Sequence, residues 1–166
     1  RIDNLMGQLL SLEGKKDIDL QSKDISQIIH RTINFLAAKI DKHRLKVEYI
    51  DESKGTNVYC NEDQIKQLVI NVIINAIHAS KENGKIIIHT TAESKDYILS
   101  IQDFGKGMTK EVQRKIFNAF YSTKYKGLGI GLLIVKRIVD KHHGRISVES
   151  EVNKGTILTI RFPIHE

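Results

Sequence analysis

The sequence predicts an α/β fold, a two-layer α/β sandwich in which a mixed, mostly antiparallel sheet is covered by helices on one face. Some segments repeat apolar residues at helical spacing, and others alternate apolar and polar residues as half-buried strands do. Both kinds of segment are interleaved along 166 residues, which is long enough for one domain with a hydrophobic core.

The first elements are an amphipathic helix, a linker, a second helix and two short strands. Apolar residues recur at helical spacing over residues 1–13, whereas residues 14–24 are polar and break that period, as a linker does. Asp24 and Gln27 resemble a capping box, which predicts a helix that runs to about Ile40. The segments LKVEYI and NVYC alternate and predict strands on either side of the turn ESKGT.

The rest of the chain predicts further helices and strands. Asn61 and Gln64 form a second capping box at the start of a long helix. The segments KIIIHTTAE and YILSIQD predict a hairpin. Thr109 starts a short helix, and Gly129 leads into a helix over residues 130–142. The segments GRISVES and GTILTIRFPI predict two closing strands.

The composition narrows the class of protein. The chain is 40% hydrophobic and 28% charged, which is typical of a soluble globular domain. A single cysteine, Cys60, excludes an intrachain disulfide framework and suits a reducing cytoplasm. We see no signal peptide and no apolar run near the roughly 20 residues of a membrane span. The net charge of +6 suits a polyphosphate, an anionic surface, a nucleic acid or merely a solvated basic surface.

The long helix over residues 61–81 carries a polar stripe beside a wide apolar face. That stripe contains Gln67, Asn71, Asn75 and His78. Asparagine is a poor helix former because its amide competes with the backbone, so two of them one turn apart suggest a function. Their amide oxygens are neutral, hard ligands that suit Mg²⁺. The alternative is a stripe that simply faces solvent.

Two glycine motifs follow. Asp103-x-Gly105-x-Gly107 comes after a predicted strand, where the carboxylate can accept from an exocyclic amine and the glycines let backbone approach a flat ring. Gly127-x-Gly129-x-Gly131 precedes a helix, and backbone N–H groups at a helix N-terminus bind anions. Each motif by itself is equally explained by a turn and a helix cap.

Together, five motifs in a fixed order resemble the catalytic and ATP-binding domain of bacterial sensor histidine kinases. They are Asn71-x-x-x-Asn75-Ala76, Asp103-x-Gly105-x-Gly107-Met108, IFNAFYSTK, GLGIGL and NKGT. These kinases belong to the GHKL superfamily, with gyrase, the large heat-shock chaperone and the mismatch-repair ATPase. The resemblance covers about residues 25–164, and its short nucleotide lid is similar to that of nitrogen-regulation and sporulation kinases.

The resemblance implies a sandwich of the GHKL ATPase type and a division of the chain. Residues 1–13 would be the end of a dimerisation-domain helix, residues 14–24 a linker, and residues 25–166 the catalytic ATP-binding domain. ATP and Mg²⁺ are the implied cofactors. Asn75 would coordinate Mg²⁺ and Asn71 would contact phosphate or a metal-bound water, which makes both of them catalytic.

The remaining implied contacts are with the nucleotide. Asp103 would bind the adenine amino group, Gly107 would pack beside the ring, and Thr156 would share an adenine-side water. Phe117 and Phe120 fit the motif that steadies the lid. The other implied nucleotide-binding residues are His78, Gly105, Lys124, Gly127, Leu128, Gly129, Ile130, Gly131 and Leu132.

Several of these residues have plainer explanations or depart from the family. His78 fits a solvated helix histidine as well, and Thr156 an ordinary strand threonine. Phe117 and Phe120 also fit an ordinary core. Leu128 replaces a threonine that the family commonly has, which removes a hydroxyl near the phosphates. Ile130 stands where the family commonly has leucine.

The implied reaction is transfer of the γ-phosphoryl group of ATP to a histidine nitrogen, in which positioning and charge neutralisation dominate. None of the seven histidines stands in an acceptor motif. We therefore expect the chain to be the cytoplasmic, catalytic half of a larger bacterial kinase, membrane-anchored or sensor-linked upstream. Its expected partners are its own dimerisation and phosphoacceptor domain, homodimeric in the full-length protein, and a response regulator.

Two other functions stay open. One is a serine kinase of the same superfamily that resembles anti-sigma factors, and the other is an ATP-binding module without transfer. A nucleic-acid binder is disfavoured because the chain has no Trp, five Phe and five Tyr, and therefore no evident aromatic platform. We expect no membrane contact by this part of the protein.

Overall fold

The computed structural model describes Gly7, residues 18–118, Tyr121 and residues 129–164. The strands are β1 (Gln21–Asp24), β2 (Lys46–Glu52), β3 (Asn57–Cys60), β4 (Lys85–Glu93), β5 (Asp96–Asp103), β6 (Arg145–Glu151) and β7 (Gly155–Pro163). The helices are α1 (Ile25–Phe35), α2 (Ala37–Lys42), α3 (Glu62–Ala79), α4 (Lys110–Lys115) and α5 (Gly131–Lys141). Apart from Gly7, the helix expected over residues 1–13 lies outside the described residues.

A five-stranded sheet in the order β2-β4-β5-β7-β6 forms one layer of the fold. Only the β2–β4 pair is parallel, and the other three pairs are antiparallel. The predicted hairpin is confirmed because β4 and β5 pair in register from Ile86 opposite Asp103 to Glu93 opposite Asp96. The predicted fold class, a mixed and mostly antiparallel sheet with helices, is confirmed.

Residues 21–24, expected as the end of a linker, instead form β1. This strand pairs antiparallel with β3, with Gln21 opposite Cys60 and Asp24 opposite Asn57. Its side chains are exposed or half-buried, so the pairing rests on backbone hydrogen bonds. Hydrophobic patterning therefore gives no signal for this strand. Although only a short turn separates β2 from β3, the two lie in different sheets.

The helix predicted to run to Ile40 breaks at Leu36, between α1 and α2. Leu36 has ψ near 0° and caps α1, and its N–H donates to the carbonyls of Thr32 and Ile33. The side chains of Leu36 and Ile40, four residues apart, are both buried, so the helical spacing of apolar residues continues across the break and gives no signal for it.

The helices cover one face of the sheet. Along β5 the side chains of Tyr97, Leu99, Ile101 and Asp103 point to that face and are buried, whereas their neighbours Ser100 and Gln102 are only half-buried. Helix α3 contacts β5, α1 and α5. The apolar face predicted for α3 is confirmed, since all of its members are buried: Ile65, Leu68, Val69, Val72, Ile73 and Ala76.

A polar cluster, buried except for the exposed Asp51, joins the start of α1 to the sheet. The hydroxyl of Ser26 lies 2.7 Å from the Tyr97 hydroxyl and 2.8 Å from that of Ser53. One carboxylate oxygen of Asp51 accepts from Ser53 at 2.7 Å and from Thr90 at 2.9 Å. These bonds satisfy polar groups that burial would otherwise make costly.

Among the described residues, no helix combines the length and apolar character needed to cross a membrane.

Candidate functional site

A cavity of about 360 Å³ lies between α3, the end of β5, the start of β7 and the helices α4 and α5. Its wall unites residues that are far apart in the sequence. The predicted site residues on it are Asn71, Asn75, His78, Asp103, Gly107, Gly129, Ile130, Gly131, Leu132 and Thr156. Three segments with no sequence relation, the asparagine stripe and the two glycine motifs, therefore form one site.

Four predicted nucleotide-binding residues are not among the described residues that line the cavity. Lys124, Gly127 and Leu128 lie outside the described residues, as does Phe120 of the lid motif. Gly105 is described but does not line the cavity. A Cβ on Gly105 would lie 1.9 Å from the carbonyl oxygen of Ala79, so the absence of a side chain lets this loop pack against the end of α3. A nucleotide contact by Gly105 stays a prediction.

Asp103 is a buried carboxylate at the end of β5, with 6% of its surface exposed. Burial raises the pKa of this carboxyl, while hydrogen bonds from the N–H groups of Gly105 and Thr156 act to lower the pKa. The Gly105 bond is 2.9 Å long. Ionised, the group only accepts hydrogen bonds, so this end of the cavity suits a ligand that donates, such as an exocyclic amine.

Gly107 brings the loop after Asp103 close to the turn between β6 and β7. Its φ is +62°, in the left-handed region, and a Cβ there would lie 1.9 Å from the carbonyl oxygen of Glu151. Glycine is required for both reasons. Gly107 lines the cavity, and its packing beside an adenine ring stays a prediction.

The asparagine stripe of α3 faces the start of α5. Asn71 and Asn75 are both half-buried, one helical turn apart. The side-chain amide of Asn71 donates to the carbonyl of Gly131 at 3.4 Å, which leaves its amide oxygen as an acceptor. The amide nitrogen of Asn75 lies 4.0 Å from where a Cβ on Gly131 would be. The two asparagines thus border the N-terminus of α5.

The first turn of α5 has no side-chain cap. Its N-cap residue is Ile130, which cannot accept a hydrogen bond through its side chain, and Gly129 before it has a φ of +67°. The first N–H groups of a helix have no partner within the helix, and the helix dipole favours negative charge beside them. An anionic group such as a phosphate fits this end of the cavity.

The side chains of the site suit Mg²⁺, which needs few protein ligands, better than a metal ion that is coordinated mainly by protein side chains. Within the described ranges, no group of three His, Cys, Asp or Glu side chains is placed to hold a metal ion. Mg²⁺ typically takes one or two protein oxygens and completes its octahedron with phosphates and water. The amide oxygen of Asn75, beside an anion-binding helix end, suits that arrangement.

His78 lies on the same face of α3, one turn beyond the asparagines. It lines the cavity but its side chain is exposed. Its ring is 6.5 Å from the ring of His43, in an edge-on arrangement. The geometry is compatible with both alternatives that the sequence left open, a contact with an anionic ligand and a solvated surface histidine.

Sequence reasoning missed most of the apolar wall. Ile101 and Leu158 lie two positions from Asp103 and Thr156, on the same faces of their strands, so the period of two could have identified them. Met108, Val112 and Ile116 also line the cavity, and only Val112 lies within α4.

Known proteins share this fold and these motifs. Residues 60–166 match the family model described as histidine kinase-, DNA gyrase B-, and HSP90-like ATPase. The chain is 33% identical to sporulation kinase E of Bacillus subtilis (strain 168), and the match covers 100% of the chain but 23% of that kinase. It therefore spans less than a quarter of that relative's length.

Two solved structures are similar to the described fold. The nucleotide-free catalytic domain of histidine kinase ThkA has a TM-score of 0.82 and 29% identity, covering 89% of the chain and 97% of that domain. Histidine kinase ThkA in complex with the response regulator protein TrrA has a TM-score of 0.84 and 25% identity, covering 99% of the chain and 48% of that structure.

Proposed function

Because the chain belongs to the histidine kinase-, DNA gyrase B- and HSP90-like ATPase family, we propose that it is the ATP-binding catalytic domain of a two-component sensor histidine kinase. One observation carries the proposal. A single cavity has an acceptor-only carboxylate, Asp103, at one end and an uncapped helix N-terminus beside two asparagines at the other. An adenine amine and a polyphosphate are complementary to those two ends.

The apolar wall orients the base. In our proposal Asp103 accepts from the amino group of adenine, directly and through a water that Thr156 shares. Ile101, Met108 and Leu158 supply apolar surface for the ring, and Gly107 lies beside it. Moving an aromatic ring of this size out of water lowers the free energy, so these contacts favour binding whichever base is present. Discrimination between bases then falls to the polar groups.

The other end of the cavity holds the phosphates. The N–H groups at the start of α5, including that of Gly131, would bind phosphate oxygens, and Asn75 would hold Mg²⁺ through its amide oxygen. Bound Mg²⁺ neutralises developing charge on the phosphoryl oxygens. Asn71, which is anchored on Gly131, would contact phosphate or a metal-bound water. Gly127, Leu128 and Lys124 keep their predicted roles in our proposal.

The proposed reaction moves the γ-phosphoryl group to an imidazole nitrogen. A new P–N bond forms as the bond between the γ-phosphorus and the bridging oxygen breaks, and ADP leaves. The chain contributes alignment and charge stabilisation rather than a covalent intermediate. The acceptor imidazole belongs to a dimerisation domain, because none of this chain's seven histidines stands in an acceptor motif.

The partners are inferred from relatives. The similarity to sporulation kinase E and to the ThkA–TrrA complex supports relay from the acceptor histidine to a response regulator. We infer that the full-length protein is a homodimer whose catalytic domain lies in the cytoplasm. Nucleic acid is not among the proposed ligands, since the sequence has no Trp and no evident aromatic platform.

Transfer in trans tests the proposal. The chain is incubated with labelled ATP, Mg²⁺ and a separately produced phosphoacceptor domain of the same protein. We expect an acid-labile, alkali-stable label on that domain, at a slow rate because the linker no longer raises the effective concentration. Asn75→Ala should abolish the label, while Asn34→Ala, an exposed asparagine of α1, should not.

Two results would contradict the assignment. An acid-stable label on serine would favour the serine kinase related to anti-sigma factors. Binding of Mg-ATP with no transfer to any acceptor domain would favour a non-catalytic ATP-binding module.

A further inference from the structure

The hydroxyl of Ser150, on β6, contacts three groups at the Asp103 end of the cavity. The N–H of Met108 donates to it at 2.9 Å. It donates to the carbonyl of Gly155 at 2.9 Å, and the hydroxyl oxygen of Thr156 lies 2.8 Å away. Ser150 thus joins the loop that follows Asp103 to the strand that carries Thr156.

A neighbouring glutamine strengthens the same junction. The side-chain amide of Gln113 donates to the carbonyl of Met108 at 3.1 Å and to that of Ser150 at 3.0 Å. The loop after β5 is therefore fastened to β6 through both the backbone and the hydroxyl of Ser150. Neither Ser150 nor Gln113 lines the cavity, so any effect on a ligand must pass through Met108 and Thr156.

Counting protons determines how the Thr156 hydroxyl is turned. A hydroxyl has one proton and two lone pairs. The hydroxyl of Ser150 donates its one proton in a hydrogen bond to the carbonyl of Gly155, which can only accept. One of its lone pairs accepts a hydrogen bond from the N–H of Met108. The remaining lone pair can accept only if Thr156 donates. This is the one arrangement that satisfies all three contacts, and it leaves the Thr156 hydroxyl, which lines the cavity, with lone pairs only for further partners.

Two polar side chains at this end then present acceptors only. The carboxylate of Asp103 accepts a hydrogen bond from the N–H of Thr156. The hydroxyl of Thr156 uses its one proton to donate a hydrogen bond to Ser150. A purine with an amino group at position 6 can donate to such a pair, directly or through a water. A purine with a carbonyl at position 6 places lone pairs against lone pairs, which leaves its oxygen unsatisfied.

We propose that Ser150 is a positioning residue for base selection, which holds the Thr156 hydroxyl as an acceptor and so favours 6-aminopurine over 6-oxopurine nucleotides. The inference rests on the proposed nucleotide-binding function of the cavity. Without Ser150 the Thr156 hydroxyl rotates freely and can donate to the carbonyl of guanine. Selectivity should therefore fall further than affinity for ATP.

The test measures dissociation constants of Mg-ATP and Mg-GTP by calorimetry on the 166-residue chain. Ser150→Ala should lower the ratio of ATP to GTP affinity about tenfold, the equivalent of one hydrogen bond. Ser150→Thr, which keeps the hydroxyl, should retain the ratio. Ser147→Ala is the matched control, because Ser147 is exposed on the same strand and points to the opposite face.

A double-mutant cycle separates this role from a structural one. With Thr156→Val in place there is no hydroxyl to orient, so adding Ser150→Ala should not change the ratio further. A Ser150→Ala protein that melts at a lower temperature but keeps the parent ratio would overturn the inference. If this variant does not fold, Ser150→Gly, which also removes the hydroxyl, replaces it with the same expectation.

The outcome also distinguishes the positioning role of Ser150 from the proposed nucleotide-binding function on which it rests. A parent chain that binds no ATP would overturn both. A parent that prefers ATP, with a ratio unaffected by Ser150→Ala, would overturn the positioning role alone.

Discussion

The imidazole of His142, at the end of α5, accepts the backbone N–H of Asn61, at the start of α3, at 3.1 Å. The other ring nitrogen donates to the carbonyl of Ile138 at 2.7 Å. About halfway along α3, Asn71 donates to the carbonyl of Gly131, the first residue of α5. Two polar contacts therefore fix α3 against α5, and these helices carry the asparagines and the anion-binding N-terminus.

His142→Ala should reduce the free energy of unfolding by about 1–3 kcal/mol, because the N–H of the half-buried Asn61 loses its acceptor. His142→Gln should recover part of that loss, since its amide oxygen can take the place of the ring nitrogen. His143→Gln, an exposed neighbour, is the control. Urea denaturation at pH 7.5 measures all three. Equal stability of the alanine variant and the parent would contradict the contact.

The same histidine predicts an acid-sensitive stability. Burial lowers the pKa of His142 below its usual 6.5, and the positive charges of His143 and Lys141 lower the pKa further, against the bond to Ile138. As the pH falls below about 6.5 the unfolded chain binds a proton before the folded chain does, so stability is lost until the folded-state pKa is passed. The loss between pH 7.5 and 5 should be smaller in His142→Gln. Identical slopes would contradict this.

Other charged groups lie on the elements packed around the ring, and the glutamine variants leave them unchanged. Glu62 and Asp63 follow Asn61 on α3, and Arg161 lies on β7, where the ring of Phe162 packs against His142. His143→Gln controls for the exposed histidine in the same window. The informative quantity is thus the difference in slope between the two glutamine variants.

Asn75→Ala should weaken Mg-ATP binding by about 1.5–3 kcal/mol, roughly ten- to a hundredfold, by removing a ligand oxygen next to the phosphates. The fold should remain, because Asn75 is half-buried on the polar stripe of α3. Calorimetry with and without EDTA makes the measurement, with Asn34→Ala as control. Removal of Mg²⁺ should weaken binding in the parent and have less effect in the variant. Equal Mg-ATP affinities of parent and variant would exclude Asn75 as a metal ligand.

Asp103→Asn should relax the preference for adenine. Guanine has a carbonyl where adenine has an amine, and an amide can donate as well as accept, so the ratio of ATP to GTP affinity should fall by about 2 kcal/mol, roughly thirtyfold. Asp41→Asn, an exposed aspartate of α2, is the control. Competition by GTP as strong as that by ATP in the parent would disprove the role given to Asp103.

The isolated chain should bind ATP without phosphorylating itself. Among the described histidines, His78 lines the cavity, but as a side chain of α3 it lacks the in-line approach that a separate acceptor domain would supply. Incubation with labelled ATP and Mg²⁺, followed by acid and alkali treatment, measures this. A stoichiometric acid-labile label would point to an unrecognised acceptor among the seven histidines, and His78→Gln would identify it if it is His78.

The sequence by itself determined most of the fold and the family. Long periodic segments such as α3 and the β4–β5 hairpin can be predicted from the sequence, because each buries one face and its hydrophobic pattern repeats. The order of the asparagine and glycine motifs likewise indicated the ATPase family, which the family match confirms. Local chemistry was sufficient at the caps, where Asn61 and Thr109 accept N–H groups of the first turns of α3 and α4.

Only the tertiary structure decided the contacts between segments distant in sequence. A full capping box at Asn61 would have the side chain of Gln64 accept the backbone N–H of Asn61. That N–H instead donates to His142, 81 residues away. Strand β1 depends on β3, and the orientation of Thr156 depends on Ser150. These relationships arise from backbone pairing and from the direction of single hydrogen bonds, which leave no periodic trace in the sequence.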